Sequence, residues 1–232
     1  MNQVSALQSC PFSTPRLLLL SRLIAVLLLV LWIPLLSRGQ DKASALIEAA
    51  KKGDADNVRS LLGKGSDVNG KNADGRTALM EAAYWGRIEA VNALLEKGAD
   101  ANATDATNHT ALMEAAGPGH MKVIEALLGK GADTNVKNKD GGTALIEAAS
   151  NNRADVIKAL IGKGAKIDEK DKDGRTALIL AGNWGHADAV QALIDKGANI
   201  NAKDKYGYSA VMYAKRENHA NVVELLTKVS TK

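Results

Sequence analysis

The chain has 232 residues, 46% of them hydrophobic and 24% charged, with a formal net charge of +4 and aromatic residues at only 3%. One cysteine, Cys10, excludes a disulfide framework. The modest positive charge is largely concentrated at the N-terminus: residues 1–39 carry Arg16, Arg22 and Arg38 and no acid, so without them the charge falls from +4 to +1. A nearly neutral remainder does not make the basic surface that nucleic acid requires, so no nucleic acid is expected as a partner.

In chain order, the first feature is a run of fourteen nearly all aliphatic residues, Leu23 to Leu36, preceded by Arg16 and Arg22 and followed by Ser37-Arg38-Gly39. An apolar core of that length with a basic flank and small residues at a cleavable spacing resembles a secretory signal peptide. Cleavage after Gly39 would remove residues 1–39 and the only thiol, leaving Gln40 first. The alternative is an uncleaved membrane anchor: extended back to Leu17 the run reaches twenty residues, the length of a span, but then encloses Arg22. Either reading places the rest of the chain outside the cytoplasm, as a periplasmic or secreted domain or a membrane-anchored one.

From residue 41 onward the sequence repeats. Thr77-Ala78-Leu79-Met80-Glu81-Ala82-Ala83 returns at Thr110 to Ala116, at Thr143 to Ala149 and, with changes, at Thr176 to Gly182, always 33 residues apart. The register extends back to Ser44-Ala45-Leu46-Ile47 and forward to Ser209-Ala210-Val211-Met212. Six units are predicted, at about 41–71, 72–104, 105–137, 138–170, 171–203 and 204–232. Each begins with an Ala- and Leu-rich stretch of about two helical turns, with Thr77, Thr143 and Thr176 as natural N-caps. A second stretch follows, such as Ile88, Val91, Leu94 and Leu95, whose spacing puts one apolar stripe on one helix face. Gly65, Gly98, Gly131, Gly164 and Gly197 end these second helices, and Asp-Gly turns at 74–75, 140–141 and 173–174 join the units. The fold class is therefore all-α: a solenoid of helix-turn-helix units with short β-turn connections. Its core is predicted from Leu79, Leu112, Leu145 and Leu178 with Leu94, Leu127, Leu160 and Leu193. Small residues at 82, 83, 115, 116, 148 and 149 permit close helix approach. The polar residues of the first and last units suit caps, so the array is expected to be complete as a monomer.

The pattern Thr-Ala-Leu-Met-Glu-Ala-Ala, then Gly, Val-x-x-Leu-Leu and Lys-Gly-Ala-Asp-x-Asn at 97–102 resembles the ankyrin repeat over about four fifths of the chain. Two departures recur. Ala78, Ala111, Ala144 and Ala177 replace the family's Pro. Met80, Met113, Ile146, Ile179 and Met212 replace its His, so the His network to the turn backbone must be replaced by apolar packing or other bonds. The resemblance implies a non-catalytic module that binds a protein partner, of unknown identity, on a concave face made by the turn tips and the two residues closing each first helix.

No catalytic residues are predicted, because there is no nucleophile elbow, no His-Glu-x-x-His helix and no phosphate loop. His120, His186 and His219 share one repeat position, which suggests local capping and interhelix hydrogen bonding rather than chemistry. The loops around Asp74 and Asp173 echo a calcium loop but lack ligands at its ends, so no metal and no cofactor is expected. Asn102-Ala103-Thr104 and Asn108-His109-Thr110 match glycosylation sequons, better explained as repeat positions.

The residues free to carry recognition are those closing the first helices, notably Tyr84, Trp85, Asn183 and Trp184, and the turn tips Arg76, His109, Arg175, Tyr206 and Tyr208. Exposed Trp and Tyr bury large areas with few rotors and so suit interface anchors; alternatively each tryptophan covers its neighbouring turn. One turn inward, Glu48, Glu81, Glu114 and Glu147 form a recurring row, which either favours a basic partner or is a solvated ladder balanced by lysines. Membrane contact is expected only if the N-terminal segment stays uncleaved.

Overall fold

The computed structural model describes residues 42–230. The export and cleavage readings, with Cys10, Arg16, Arg22 and residues 23–39, lie outside the described residues.

The described chain is a series of helix pairs: α1 (42–52) with α2 (Ala55–Gly63), α3 (Ala78–Tyr84) with α4 (Ile88–Glu96), α5 (Ala111–Ala116) with α6 (Met121–Gly129), α7 (Ala144–Ser150) with α8 (Ala154–Gly162), α9 (Ala177–Asn183) with α10 (Ala187–Asp195), and α11 (Ala210–Arg216) with α12 (Ala220–Ser230). Among the described residues there is no strand, only an isolated antiparallel bridge between Lys71 and Thr77. First helices pack on first helices and second helices on second helices along the array, making two layers.

The first helices are short because both ends are chemically marked. Thr77, Thr110, Thr143 and Thr176 adopt extended backbone and accept the N–H of the third helical residue at 3.3 Å, which satisfies an otherwise orphaned donor. Met80 returns the favour in α3, its sulfur accepting the Thr77 N–H at 3.4 Å.

Each turn is organised from its first residue. Asn72, Asp105, Asn138, Asp171 and Asp204 each offer one side-chain oxygen to two backbone N–H groups, two and four residues on, at 2.7–3.0 Å. This oxygen organises the turn, and Met113, Ile146 and Ile179 are buried as core. The tip residue needs φ > 0. Glycine supplies it at 75, 141, 174 and 207, and Asn108, at φ 63°, supplies it in the third unit.

Neighbouring units are bonded through the backbone at these tips. The N–H groups of Ala106, Lys139, Lys172 and Lys205 donate to the carbonyls of Asp74, Thr107, Asp140 and Asp173 at 2.8–3.0 Å. A second row joins the other edge, where Asn69, Asn102, Asn135 and Asp168 accept the N–H of the residue 31 positions later. Asn102 also donates its amide to Gly131, so both ends of that sequon side chain are already engaged.

Between the layers runs one apolar core. The eight predicted leucines and the small residues Ala82, Ala83, Ala115, Ala116, Ala148 and Ala149 are all buried in it. Each helix pair buries its stripe only against its neighbours, which is why stacking and stability are the same event here.

Candidate functional site

Beyond the core, the repeat leaves one face whose residues vary: the ends of the first helices and the adjacent turns. Tyr84 and Trp85 close α3 at 45% and 44% exposure, in an edge-to-face pair with centroids 5.3 Å apart. Lys51, at the end of α1, holds its ammonium 5.8 Å from the Trp85 ring. Trp184, at the C-cap of α9, is 59% exposed. Both indoles keep a large part of their surface exposed.

The recurring histidines make the interhelix hydrogen bonds that their repeat position suggests. His120 and His186 occupy the N-cap positions of α6 and α10 but make no capping bond there. Instead the Nε2 atoms of His120, His186 and His219 lie 3.0–3.1 Å from the carbonyls of Tyr84, Ser150 and Asn183, 36 residues earlier. Arg87 and Arg153, at the same repeat position, donate Nε–H to Lys51 and Gly117 carbonyls at 3.2 and 3.0 Å. Each Nε–H satisfies an orphaned carbonyl at the end of the previous first helix and locks the two units in register.

The glutamate row is not a uniformly solvated ladder. Glu48 is exposed and pairs with Lys52 at 3.2 Å, but Glu81, Glu114 and Glu147 are half-buried. Arg76 bridges two units: its Nε donates to Glu81 and its Nη1 to Glu114, both at 2.6 Å. Burial opposes the charge on Arg76, yet these two carboxylates hold its pKa above the ordinary value. Desolvation likewise works against ionised Glu114, and His109 and Arg76 overcome it, keeping Glu114 below the usual carboxylate range.

His109 stands with Nδ1 3.6 Å from Glu114 and Nε2 2.9 Å from the Asn138 amide nitrogen. Because the Asn138 oxygen is already taken by two turn N–H groups, its NH2 must face the imidazole, which makes Nε2 an acceptor and Nδ1–H the donor towards Glu114. The same amide explains Gly142, since a Cβ there would meet it at 2.9 Å. With no side chain at 142, Glu147 lacks the partner that Arg76 gives Glu81. No described residue hydrogen-bonds its carboxylate, and burial raises its pKa above the ordinary carboxylate value.

Beside Glu147 the face dips. A depression of about 380 Å³ is lined by Tyr84, His109, Met113, Glu114, Pro118 and Glu147, among others. It exists because Gly117 and Pro118 stand where the second unit has Tyr84 and Trp85. Sequence reasoning missed this feature. Its signal was the column of residues 76, 109, 142, 175 and 208 read against the column five residues on.

At the other end Arg175 is held by Asp171 at 2.8 Å and Asp173 at 3.2 Å, and finds Leu180 where earlier units have glutamate. Tyr208 and Tyr213 lie 5.3 Å apart, with Arg216 4.7 Å over Tyr213. Asp204 accepts the Tyr213 hydroxyl at 2.6 Å, and Tyr206 is 66% exposed beside Lys205. Asn183, Arg175, Tyr213 and Arg216 line a smaller dip of about 200 Å³. The structure thus brings Arg76, Glu81, Glu114 and Glu147 together with Tyr84, and places Asn183 and Arg175 in a separate C-terminal group with the tyrosines. A larger depression, about 550 Å³, lies elsewhere, between the second helices at Asn152, Asp155, Lys158 and Asp188. Among the described residues no group of three metal-ligating side chains occurs, and no helix is long and apolar enough to cross a membrane.

Stacked helix pairs with a buried repeating core and a variable first-helix face define a solenoid protein-interaction module. The family description "Ankyrin repeats (3 copies)" matches residues 23–105, 98–171 and 155–232, and the chain belongs to that family. Among curated proteins none matches the chain.

Proposed function

We propose that the protein is an exported, non-catalytic ankyrin-repeat module that binds a protein partner on the concave face formed by its first helices and turn tips. Residues 1–39 act as the export signal, and residues 41–232 form the working domain outside the cytoplasm, periplasmic or secreted. The observation that carries the binding reading is the exposure of Tyr84, Trp85 and Trp184 at helix-closing positions where the core needs no large side chain. Large rigid aromatics left in water are costly unless a partner covers them. Arg76, Glu81, Glu114, Glu147, Asn183, Arg175, Tyr206 and Tyr208 complete the face.

The test is affinity capture from the extracytoplasmic fraction with the parent and with a folded Tyr84→Ala, Trp85→Ala, Trp184→Ala variant. A protein held by the parent and lost by the variant supports the reading; equal recovery by both overturns it. A second reading, a scaffold tethered by an uncleaved N-terminal helix, is favoured by the twenty-residue span-length run Leu17 to Leu36. Intact mass of the protein from its host separates the two by loss or retention of residues 1–39.

A further inference from the structure

The first-helix face carries a pattern of cation and carboxylate with one gap. Residues 76, 109, 142, 175 and 208 read Arg, His, Gly, Arg and Tyr, while 81, 114, 147, 180 and 213 read Glu, Glu, Glu, Leu and Tyr. Arg76 spans the first two glutamates and His109 faces the second. Glu147 has no such cation, because the matching position is Gly142, so a half-buried carboxylate is left without a hydrogen-bonded counter-ion. Desolvating a carboxylate without a partner is unfavourable, and a cation delivered from outside would relieve it. The space for one exists, because the depression of about 380 Å³ includes Glu147 on its lining. It falls in the two units whose closing pairs are small, Gly117 with Pro118 and Ser150 with Asn151, between the units that carry Trp85 and Trp184.

We propose that this depression is a socket for a single arginine or lysine side chain of a protein partner, its cationic head pairing with Glu147 while the aromatic units on either side hold the flanking chain. The inference rests on the first-helix face being the binding face. Charge complementarity chooses the occupant: Glu147 faces the depression without a partner, while the two basic groups on its lining are already engaged, His109 with Glu114 and Asn138 and Arg153 with the Gly117 carbonyl. Trp85 and Trp184 are three units apart, about 30 Å at roughly 10 Å per packed helix layer. An extended segment covers that distance in about nine residues at ~3.3 Å each. The basic residue therefore lies near the middle of such a segment, with apolar or aromatic-compatible residues towards both ends.

The test uses the full chain labelled with 13C at the methionine methyl groups and titrated with n-propylguanidinium, against the neutral n-butyramide. Met113 lines the depression, while Met80 in the core and Met212 in the last unit serve as references. The expected result is a saturable, salt-sensitive shift of the Met113 methyl in the millimolar range proper to a fragment, with the references unmoved and no effect of butyramide. Glu147→Gln, which keeps the shape, should weaken it about tenfold, and Glu48→Gln should not. An equal shift in Glu147→Gln, the same shift with butyramide, or no Met113 shift at all overturns the socket. Where a captured protein is lost by the tryptophan variant but retained by Glu147→Gln, the binding face stands and the socket falls. Where the guanidinium binds at Glu147 but the tryptophan variant loses nothing, the socket stands and the wider face falls.

Discussion

Gly182→Ala should destabilise the protein, although alanine is the better helix former by about 1 kcal/mol. Gly182 lies in α9 at the position occupied by Ala83, Ala116 and Ala149 in earlier units, and a Cβ built there would lie 2.9 Å from the Ala210 carbonyl oxygen and 3.1 Å from the Ala210 Cβ. In favour of the variant stand that propensity and about 0.8 kcal/mol for burying one carbon. Against it stands overpacking, typically about 1–3 kcal/mol. The upper end applies because the obstruction is helix backbone in α11, which cannot rotate aside as a side chain can. The net is a loss of about 1 kcal/mol, or a fall in Tm of roughly 2–4 °C for a domain of this size. Gly129→Ala is the matched control: it ends α6, nothing lies within 4 Å of its virtual Cβ, and it should gain about 0.5–1 kcal/mol. Urea and thermal melts of the three proteins, followed by circular dichroism, read both signs. A Gly182→Ala melt raised as far as that of Gly129→Ala would refute the close approach of α9 and α11.

Arg76→Met should lower stability by about 2–3 kcal/mol at neutral pH, because Glu81 and Glu114 stay half-buried without their shared cation. As Glu114 titrates below the ordinary carboxylate value in the parent, the stability it contributes is present above the unfolded pKa and lost as pH falls through the folded one. The gap between parent and variant melts should therefore close on acidification. Glu147→Gln should do the opposite and raise Tm at pH 7: its folded pKa lies above the unfolded value, so ionisation weakens the fold progressively through that window and fully above it. Below the unfolded carboxylate range, about pH 4, the two melts should coincide. Thr143→Ala removes the cap on the Ile146 N–H and should cost about 1 kcal/mol, read as a lower urea midpoint with an unchanged slope.

Repetition is the reason so much of this protein is legible in one dimension. A 33-residue period, a threonine before each short helix and a glycine after each long one determine element type, length and order, because caps and apolar stripes act over three or four residues. The burial of Leu79, Leu127 or Ala115 followed from the same pattern, since a helix pair that cannot cover its own stripe must cover it with the next pair. The partners of the surface charges were another matter. That Arg76 clamps Glu114 and that His120 donates to Tyr84 depend on contacts 36 to 38 residues apart whose geometry only stacking supplies. Glu147 shows the difference best. Its sequence neighbourhood matches that of Glu114, yet one is neutralised and the other is left facing an open depression, because Gly142 contributes no side chain and Gly117 with Pro118 contribute little bulk. Periodicity alone thus determined the scaffold, through local propensity and patterned burial. Only the tertiary structure decided which charges are spent inside the array and which remain for a partner, because desolvation and pairing are properties of three-dimensional neighbours.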